Sequence, residues 1–102
     1  MMQLYAFYCQ DGENGAKLRD MHLGAHLAHV EAHLKDYAVA GPLKNGDDTI
    51  GSLLVIKAVD EAEARAKFES DPYFAAGVWQ SIRATTFMGV AGDWVGGAAW
   101  KQ

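Results

Sequence analysis

The alternation of apolar and polar residues along the chain predicts four strands and two helices. Four short segments rich in apolar, aromatic and β-branched residues are typical of strands: residues 3–9, 38–43, 50–58 and 78–90. Apolar residues at helical spacing predict a long helix over residues 16–37 and a shorter one over residues 61–70. The order β-α-β-β-α-β is that of the ferredoxin-like fold. We therefore expect an α+β domain, with an antiparallel four-stranded sheet and two helices on one of its faces.

Polar residues mark where the second helix begins and where a further helical turn follows it. Asp60 precedes the helix, and Glu63 lies three residues further on, which is the spacing of a capping box. Asp71 and Pro72 then form a typical start of a helical turn, with Asp as the N-cap and Pro in the first helical position. Capping this turn is the structural alternative to any role of Asp71 in chemistry.

Both faces of the predicted sheet are apolar. Two helices cover only one face of a four-stranded sheet, so the other face should alternate with polar residues. Instead, every position is apolar over residues 4–9 and over residues 53–56. We therefore expect a homodimer that packs sheet to sheet and forms a shared, dimeric α/β barrel. Trp94 and Trp100 in the tail could cover part of this surface, either in their own subunit or across the interface.

Composition and charge limit the class of protein. With 102 residues, 50% of them hydrophobic, the chain is one domain (residues 1–102), although its glycine-rich tail at residues 91–102 is not assigned to an element. The formal net charge of −4 and the pI of about 5.4 argue against a nucleic-acid partner. No run approaches the ~20 apolar residues of a membrane span, and the N-terminal residues do not resemble a signal peptide. The single cysteine, Cys9, fits a reducing cytoplasm.

All four histidines lie on the predicted long helix. They are His22, His26, His29 and His33, and their spacing places them within an arc of roughly 60° on the helix. This row lies beside the apolar stripe that faces the core, so an imidazole here is expected to be partly buried and suited to acid–base chemistry. The alternative is a solvated flank of the helix. We favour that alternative for His29 and His33, in solvent or beside the dimer interface.

Metal binding is a competing use of the histidine row. His22 and His26 are four residues apart, as in helical zinc pairs, and Asp71 could supply a third ligand. However, residues 23–25 are Leu, Gly and Ala, so the zinc-protease pattern HExxH is absent. We therefore expect no metal site. We expect no cofactor either, because the chain has no glycine-rich phosphate loop and no nucleotide or flavin fingerprint.

Five motifs resemble the YciI-like (YCII-related) family in sequence and in order. They are LYAFYCQDGE, AHLAHV, AGPL, GSL, and DPY followed by AGV, at residues 4–13, 25–30, 40–43, 51–53 and 71–78. The resemblance implies a dimeric ferredoxin-like barrel with a histidine–aspartate pair in a cleft, at His26 and Asp71 in this chain. Many relatives carry an arginine at the position of Leu23, so such an anion-binding group is lost here or replaced by His22.

The same resemblance suggests a reaction class. The family is similar in fold to muconolactone isomerase, and one of its branches eliminates chloride from a hydroxylated aromatic. His26 would then be the acid–base group and Asp71 its partner, because a carboxylate on one ring nitrogen fixes the tautomer and stabilises the imidazolium. The other candidate ligand-binding residues are Ser52, Tyr8, Tyr73 and His22.

The leading hypothesis is a small cytoplasmic enzyme that uses this pair for acid–base chemistry without a cofactor. The reaction would be a dehydrochlorinase-like elimination or an isomerisation of a small cyclic or aromatic metabolite. The alternative is a non-catalytic small-molecule-binding or interaction module on the same dimeric barrel. A third possibility is a cofactor-free monooxygenase, which other dimeric α/β barrels support.

Overall fold

The structure is a computed structural model that describes residues 2–101. Its elements are β1 (Gln3–Asp11), α1 (Gly15–Ala32), β2 (Tyr37–Asn45), β3 (Asp48–Ala58), α2 (Glu61–Glu69), α3 (Pro72–Ala76), β4 (Trp79–Phe87), β5 (Ala91–Gly92) and β6 (Gly97–Ala98). The four long strands form an antiparallel sheet in the order β2-β3-β1-β4. This confirms the predicted ferredoxin-like α+β fold, with its helices on one face of the sheet. None of the helices within residues 2–101 is long and apolar enough to cross a membrane.

The first helix ends earlier than the sequence predicts. It stops at Ala32, and Leu34–Asp36 forms a single 3₁₀ turn before β2 begins at Tyr37. The helical spacing of apolar residues continues to Tyr37, but that residue pairs with Ile56 on β3. Pairing along the edge of the sheet therefore overrides the helical pattern, as tertiary context often does.

The hydrophobic core lies between the sheet and the helices. Its buried residues are Tyr5, Phe7, Cys9, Leu54, Ile56, Ala58, Ala64, Phe68, Tyr73, Val78 and Trp79. Phe68 on α2 stacks on Phe7 with ring centroids 4.4 Å apart and on Trp79 at 5.3 Å. Each large side chain buried in this way contributes roughly 1.5–3 kcal/mol to folding, so the aromatic stack fixes α2 against the sheet.

The N-terminus of α2 is capped as predicted. The Asp60 side chain accepts a hydrogen bond from the Glu63 backbone N–H at 2.8 Å. Glu63 in turn accepts one from the Val59 backbone N–H at 3.1 Å, so the reciprocal contact reaches one residue before the cap. Each bond pairs a donor that the first turn of a helix cannot pair by itself.

The face of the sheet that points away from the helices carries an apolar patch. We call this face the outer face, and its apolar side chains are Leu4, Ala6, Tyr8, Val39, Leu53, Val55 and Phe87, while Lys57, Arg83 and Thr85 lie on the same face. No helix within residues 2–101 covers it, and only Val55 of this set is buried. The alternation along each strand thus places apolar side chains on both faces, which is the observation behind the predicted homodimer.

The tail, which the sequence alone did not assign, is a small hairpin. Strands β5 and β6 pair antiparallel over two residues each, and one turn of 3₁₀ helix at Asp93–Val95 connects them. Gly92, Gly96 and Gly97 have positive φ angles of 129°, 81° and 117°, so the glycine-rich composition is what allows this tight path. Trp94 and Trp100 both remain largely exposed.

Candidate active site

The structure brings His26 and Asp71 together across two helices. His26 lies on α1, and Asp71 is the residue that caps α3. The imidazole Nδ1 is 2.8 Å from Asp71 Oδ1, and the Asp71 side chain has no exposed surface. Because a carboxylate can only accept, Nδ1 carries the hydrogen and the neutral ring keeps its lone pair on Nε2. Nε2 has no hydrogen-bond partner within residues 2–101.

Asp71 is positioned by the backbone of the short helix that it begins. Its Oδ1 also accepts a hydrogen bond from the Tyr73 backbone N–H at 2.9 Å, and Pro72 occupies the first helical position. Gly77 ends the helix in the left-handed conformation, with φ of 77°, where its N–H bonds to the Phe74 carbonyl. Two features of the DPYxxAG segment, the Asp–Pro start and the glycine stop, therefore hold the carboxylate under α1.

The Tyr73 ring stacks on the imidazole of His26. The two rings stack with centroids 3.8 Å apart and an angle of 2° between their planes. The Tyr73 hydroxyl donates to the Arg19 backbone carbonyl at 3.3 Å, which ties α3 to α1. Burial raises the pKa of Tyr73, although the nearby Arg19 charge opposes this, so the hydroxyl stays protonated and acts as a donor.

Arg19 lies two turns before His26 on α1 and is held by Asp11 at the end of β1. Its Nε and Nη2 donate to the two carboxylate oxygens of Asp11 at 2.7 and 2.8 Å. Nη2 also donates to the Gly51 carbonyl at 3.0 Å and to Ser52 Oγ at 2.9 Å. Burial would lower the pKa of Arg19, but the hydrogen-bonded Asp11 carboxylate raises it above its ordinary value. The guanidinium is therefore a fixed positive charge.

Two glycines allow the chain to approach this ion pair closely. A Cβ at Gly15 would lie 2.7 Å from the Cβ of Asp11, so a larger residue here would push the carboxylate away from Arg19. A Cβ at Gly51 would overlap the backbone carbonyl of Cys9 on the neighbouring strand. Asp11 has the same strand parity as Tyr5, Phe7 and Cys9, so its side chain also points to the helix side of the sheet, and a register shift at Gln80 of β4 accompanies this end of β1.

Ser52 is the meeting point of two donors. Its Oγ accepts from Arg19 and, at 3.3 Å, from the indole N–H of Trp79. The side chain is buried on the helix side of β3. With both contacts made to its lone pairs, the hydroxyl hydrogen is left to donate to another group.

These residues line one cleft of about 340 Å³ between α1 and the β2–β3 edge of the sheet. Its polar groups come from Arg19, His26, Ser52 and Tyr73. The rest of the wall is apolar: Leu23, Leu27, Val30, Ala40, Gly41, Pro42 and Leu54. A mostly apolar cleft with a few convergent polar groups is typical of a small-molecule site. Arg19 Nη1 has no hydrogen-bond partner within residues 2–101, so this nitrogen is available to a ligand oxygen.

Two of the residues predicted from the sequence do not reach this cleft. Tyr8 points to the outer face of the sheet, where its strand neighbours are Leu53 and Arg83. His22 is half-buried on α1 but does not line the cleft. Among residues 2–101, no three His, Cys, Asp or Glu side chains converge in a way that could hold a metal ion.

His29 and His33 line a second cleft between the end of α1 and α2. This cleft, of about 250 Å³, is also lined by Asp36, Tyr37, Lys67 and Ser70. Burial lowers the pKa of His29, and Asp71 partly opposes this effect. The Lys67 ammonium is 3.1 Å from Asp36 and therefore neutralises the carboxylate at the mouth of the cleft. Both histidines are on the helix side of the sheet, so they do not flank the outer face.

The pair of Arg19 and Asp11 is the main feature that sequence reasoning missed. Arg19 precedes His26 by seven residues, which places both on one face of α1. This spacing could have pointed to Arg19 as a residue of the site, together with Gln10 and Asp11 at the end of β1. Arg19 therefore supplies to the cleft a cation that the sequence predicts to be lost at Leu23 or replaced by His22.

The fold and the cleft together define a ferredoxin-like α+β domain with a histidine–carboxylate pair and a guanidinium beside one cleft. The YCII-related domain model matches residues 3–88, and the chain belongs to this family. No curated protein matches the chain.

Two solved structures are similar to the chain. One is the 5-chloro-2-hydroxyhydroquinone dehydrochlorinase (TftG) of Burkholderia phenoliruptrix AC1100, in complex with 2,5-dihydroxybenzoquinone. It is 25% identical, with a TM-score of 0.75, and the match covers 88% of this chain and 96% of that one. The other is an uncharacterized NIPSNAP domain protein of Burkholderia xenovorans, 16% identical over 89% of this chain and 96% of that one, with a TM-score of 0.42.

Proposed function

We propose that this protein is an enzyme that transfers a proton during an elimination or isomerisation of a small hydroxylated cyclic or aromatic molecule. The observation that carries the proposal is the contact of 2.8 Å between His26 Nδ1 and Asp71 Oδ1, with Nε2 left unpaired in a cleft that also holds a fixed guanidinium. This combination offers a base and a stabiliser of negative charge to the same ligand.

His26 is the acid–base group, and Asp71 is its positioning partner. In an elimination, Nε2 takes a proton from the substrate, and the electrons of that bond form the new double bond. The leaving group departs with its own bonding pair, so that the products are the unsaturated ring compound, a proton on His26 and the free anion. The Asp71 carboxylate stabilises the imidazolium that forms, and Tyr73 holds the ring plane.

Arg19 and Ser52 bind the oxygen that becomes negative during the reaction. Removal of a proton from a hydroxylated ring places charge on an oxygen, and an enolate or phenolate is stabilised by fixed donors in a water-poor cleft. Arg19 Nη1 and the Ser52 hydroxyl hydrogen are the donors that the surrounding protein leaves unused. Asp11 keeps the guanidinium in place, so the donors require little reorganisation when charge develops.

The similarity to the dehydrochlorinase supports the choice of substrate class. That protein is named for a chlorinated hydroxyhydroquinone and holds 2,5-dihydroxybenzoquinone, which is a single hydroxylated ring. A cleft of about 340 Å³ with an apolar wall has room for one such ring. We carry over the class, a small oxygenated ring, and we propose proton transfer as the shared chemistry.

We further propose that the working protein is a homodimer in the cytoplasm. The apolar outer face, left uncovered within residues 2–101, favours a second sheet as its partner. The buried Cys9 is the only cysteine of the chain, so no disulfide can form within the chain, which suits a reducing compartment.

Chloride release from 5-chloro-2-hydroxyhydroquinone tests the function, with binding of 2,5-dihydroxybenzoquinone measured alongside by calorimetry. We expect turnover by the wild type, and His26→Gln should lower kcat/KM by about 10²-fold or more while ligand affinity changes little. His22→Gln is the matched control, because it removes a histidine of the same helix that does not line the cleft. If the protein binds the ligand but neither releases chloride nor isomerises the ring, the result contradicts the enzyme proposal and favours a binding module.

A further inference from the structure

The tail is a built element that lies outside the part of the chain shared with the family. The family match ends at residue 88, whereas the hairpin spans Ala91–Gly92 and Gly97–Ala98. The Ala99 N–H donates to the Val90 carbonyl at 2.8 Å, and the Gly96 N–H donates to the Asp93 carbonyl at 3.1 Å. The tail therefore has its own hydrogen bonds and presents its side chains from a defined backbone.

The hairpin forms a wall at one end of the outer face. A groove of about 480 Å³ lies between them, and its apolar sides come from Leu4, Val39, Leu53, Val55, Trp94 and Val95. Gly89 is packed so closely that a Cβ there would lie 3.3 Å from Val95 and 3.9 Å from Leu4. Val95 therefore packs close to Gly89, just beyond the end of β4, and the groove beside it stays open.

Trp94 is the side chain of the hairpin that the residues from 2 to 101 leave mostly exposed. The indole is 85% exposed, although it lines an apolar groove. Aromatic side chains bury about 150–250 Å² each and dominate interface energetics, so an exposed indole beside an apolar groove suits a protein partner. In the conformation that the structure shows, the hairpin lies beside the outer face without burying Trp94, so the ring is free to contact a second molecule.

The area of the sheet lies at the lower end of what a stable dimer buries. Four strands spaced about 4.8 Å apart, with nine residues at about 3.3 Å each, give a flat footprint of roughly 600 Å². Stable interfaces bury about 600–1,000 Å² on each partner, so surface added by the tail would strengthen the contact. The hairpin adds surface at the edge of this footprint, and Trp94 is the largest apolar side chain that it offers.

Charge also suits a second copy of the same chain. Arg83 lies on the outer face beside Tyr8, and Asp93 lies in the hairpin next to Trp94. Neither of the two forms an ion pair within residues 2–101. A two-fold interface repeats each contact, so the cation and the anion of one copy offer a second copy two opposite-charge pairs.

We propose that the hairpin is an intersubunit arm, in which Trp94 of each copy packs on the outer sheet face of a second copy. This inference rests on the homodimer proposed above and adds to it the residues that hold the two sheets together. The partner is a second copy of this chain, and the arm is an addition of this chain to the domain shared by the family.

Sedimentation equilibrium of four proteins tests the arm. They are the wild type, Trp94→Ala, its matched control Trp100→Ala, and Leu53→Glu, which places a charge in the middle of the outer face. We expect a wild-type dimer, a monomer for Leu53→Glu, a dimer dissociation constant raised at least about tenfold by Trp94→Ala, and no comparable change for Trp100→Ala. Circular dichroism checks that each variant is folded.

Tryptophan fluorescence tests the position of Trp94 even when the dimer is too tight to dissociate. In a Trp100→Phe background, we expect the dimer to emit at shorter wavelength than the Leu53→Glu monomer, because the indole leaves water. The same comparison in a Trp94→Phe background should show no shift. A wild-type monomer, or a dimer that persists in Leu53→Glu, would overturn both the sheet-to-sheet dimer and the arm. A dimer insensitive to Trp94→Ala, with no emission shift, would overturn the arm alone.

Discussion

Asp71 holds His26 and begins helix α3 through one and the same oxygen. Oδ1 lies 2.8 Å from His26 Nδ1 and 2.9 Å from the Tyr73 backbone nitrogen, whereas Oδ2 is buried and has no hydrogen-bond partner within residues 2–101. Capping a helix and orienting an imidazole are therefore simultaneous roles of this carboxylate. Substitutions can separate the two roles, because the contact to His26 needs a longer side chain than the contact to the Tyr73 backbone N–H.

Asp71→Ser should keep the helix cap and lose the contact to His26. Serine caps helices about as well as aspartate, but its side chain is one atom shorter and carries no charge. We expect a folded protein whose free energy of unfolding falls by about 1–3 kcal/mol, because a buried donor loses its charged acceptor. The two tautomers of His26 should become mixed in imidazole nitrogen NMR. An unchanged tautomer ratio in this variant would show that another group fixes the ring.

Asp11→Asn should weaken the domain through Arg19. The change removes one of two carboxylate acceptors at 2.7 and 2.8 Å and leaves a largely buried guanidinium without its counter-charge. We expect urea denaturation to show a loss of about 2–3 kcal/mol. Glu61→Gln is the control, because its ion pair with Arg65 is exposed and 3.9 Å long and should contribute less than about 0.5 kcal/mol. Equal losses in the two variants would contradict the structural role of Asp11.

His29 should make the fold less stable in mild acid. Burial lowers the pKa of His29 below its ordinary value of 6.5, so the unfolded chain takes up this proton at a higher pH than the folded chain. The free energy of unfolding should therefore decrease as the pH falls below about 6.5, and His29→Gln should reduce that dependence. Chemical denaturation at several pH values measures both slopes. Parallel slopes for the wild type and His29→Gln would refute this origin.

Cys9 should react with thiol reagents only when the protein opens. Burial raises the pKa of Cys9 to about 12, so its thiolate is scarce at neutral pH and the sulfur is out of reach of solvent. We expect labelling by a disulfide reagent to be negligible in the native protein and complete after denaturation in urea. Rapid labelling under native conditions would mean that the sheet beneath α1 opens easily.

The fold could be predicted from the sequence because its elements are marked by local chemistry. Asp60 and Glu63 mark the start of α2, and Asp71 and Pro72 mark the start of α3. Both starts depend on hydrogen bonds between neighbouring residues. The end of α1 could not be predicted in the same way. Tyr37 continues the helical spacing, but its pairing with β3 depends on a strand far away in the chain.

The candidate site could be predicted only in part, for reasons of strand parity and long-range packing. Tyr8 and Cys9 lie on opposite faces of β1, and a run that is apolar at every position does not reveal which face meets the helices. Arg19 resembles a solvated charge in the sequence, because its contact with Asp11 depends on how α1 packs against the end of β1. His26 and Asp71 could be predicted, because each lies in a sequence motif that resembles the family.

The contact of 2.8 Å to Asp71 favours the His26 tautomer with its hydrogen on Nδ1 and its lone pair on Nε2. Imidazole nitrogen NMR of the wild-type protein at mildly alkaline pH tests this tautomer most directly, because the two ring nitrogens have distinct shifts and couplings in each tautomer. We expect a His26 signal set with a protonated Nδ1 and an unprotonated Nε2, which becomes mixed in Asp71→Ser. A His26 ring protonated mainly on Nε2 in the wild type would contradict this expectation, since the nitrogen that lines the cleft could not then accept a proton.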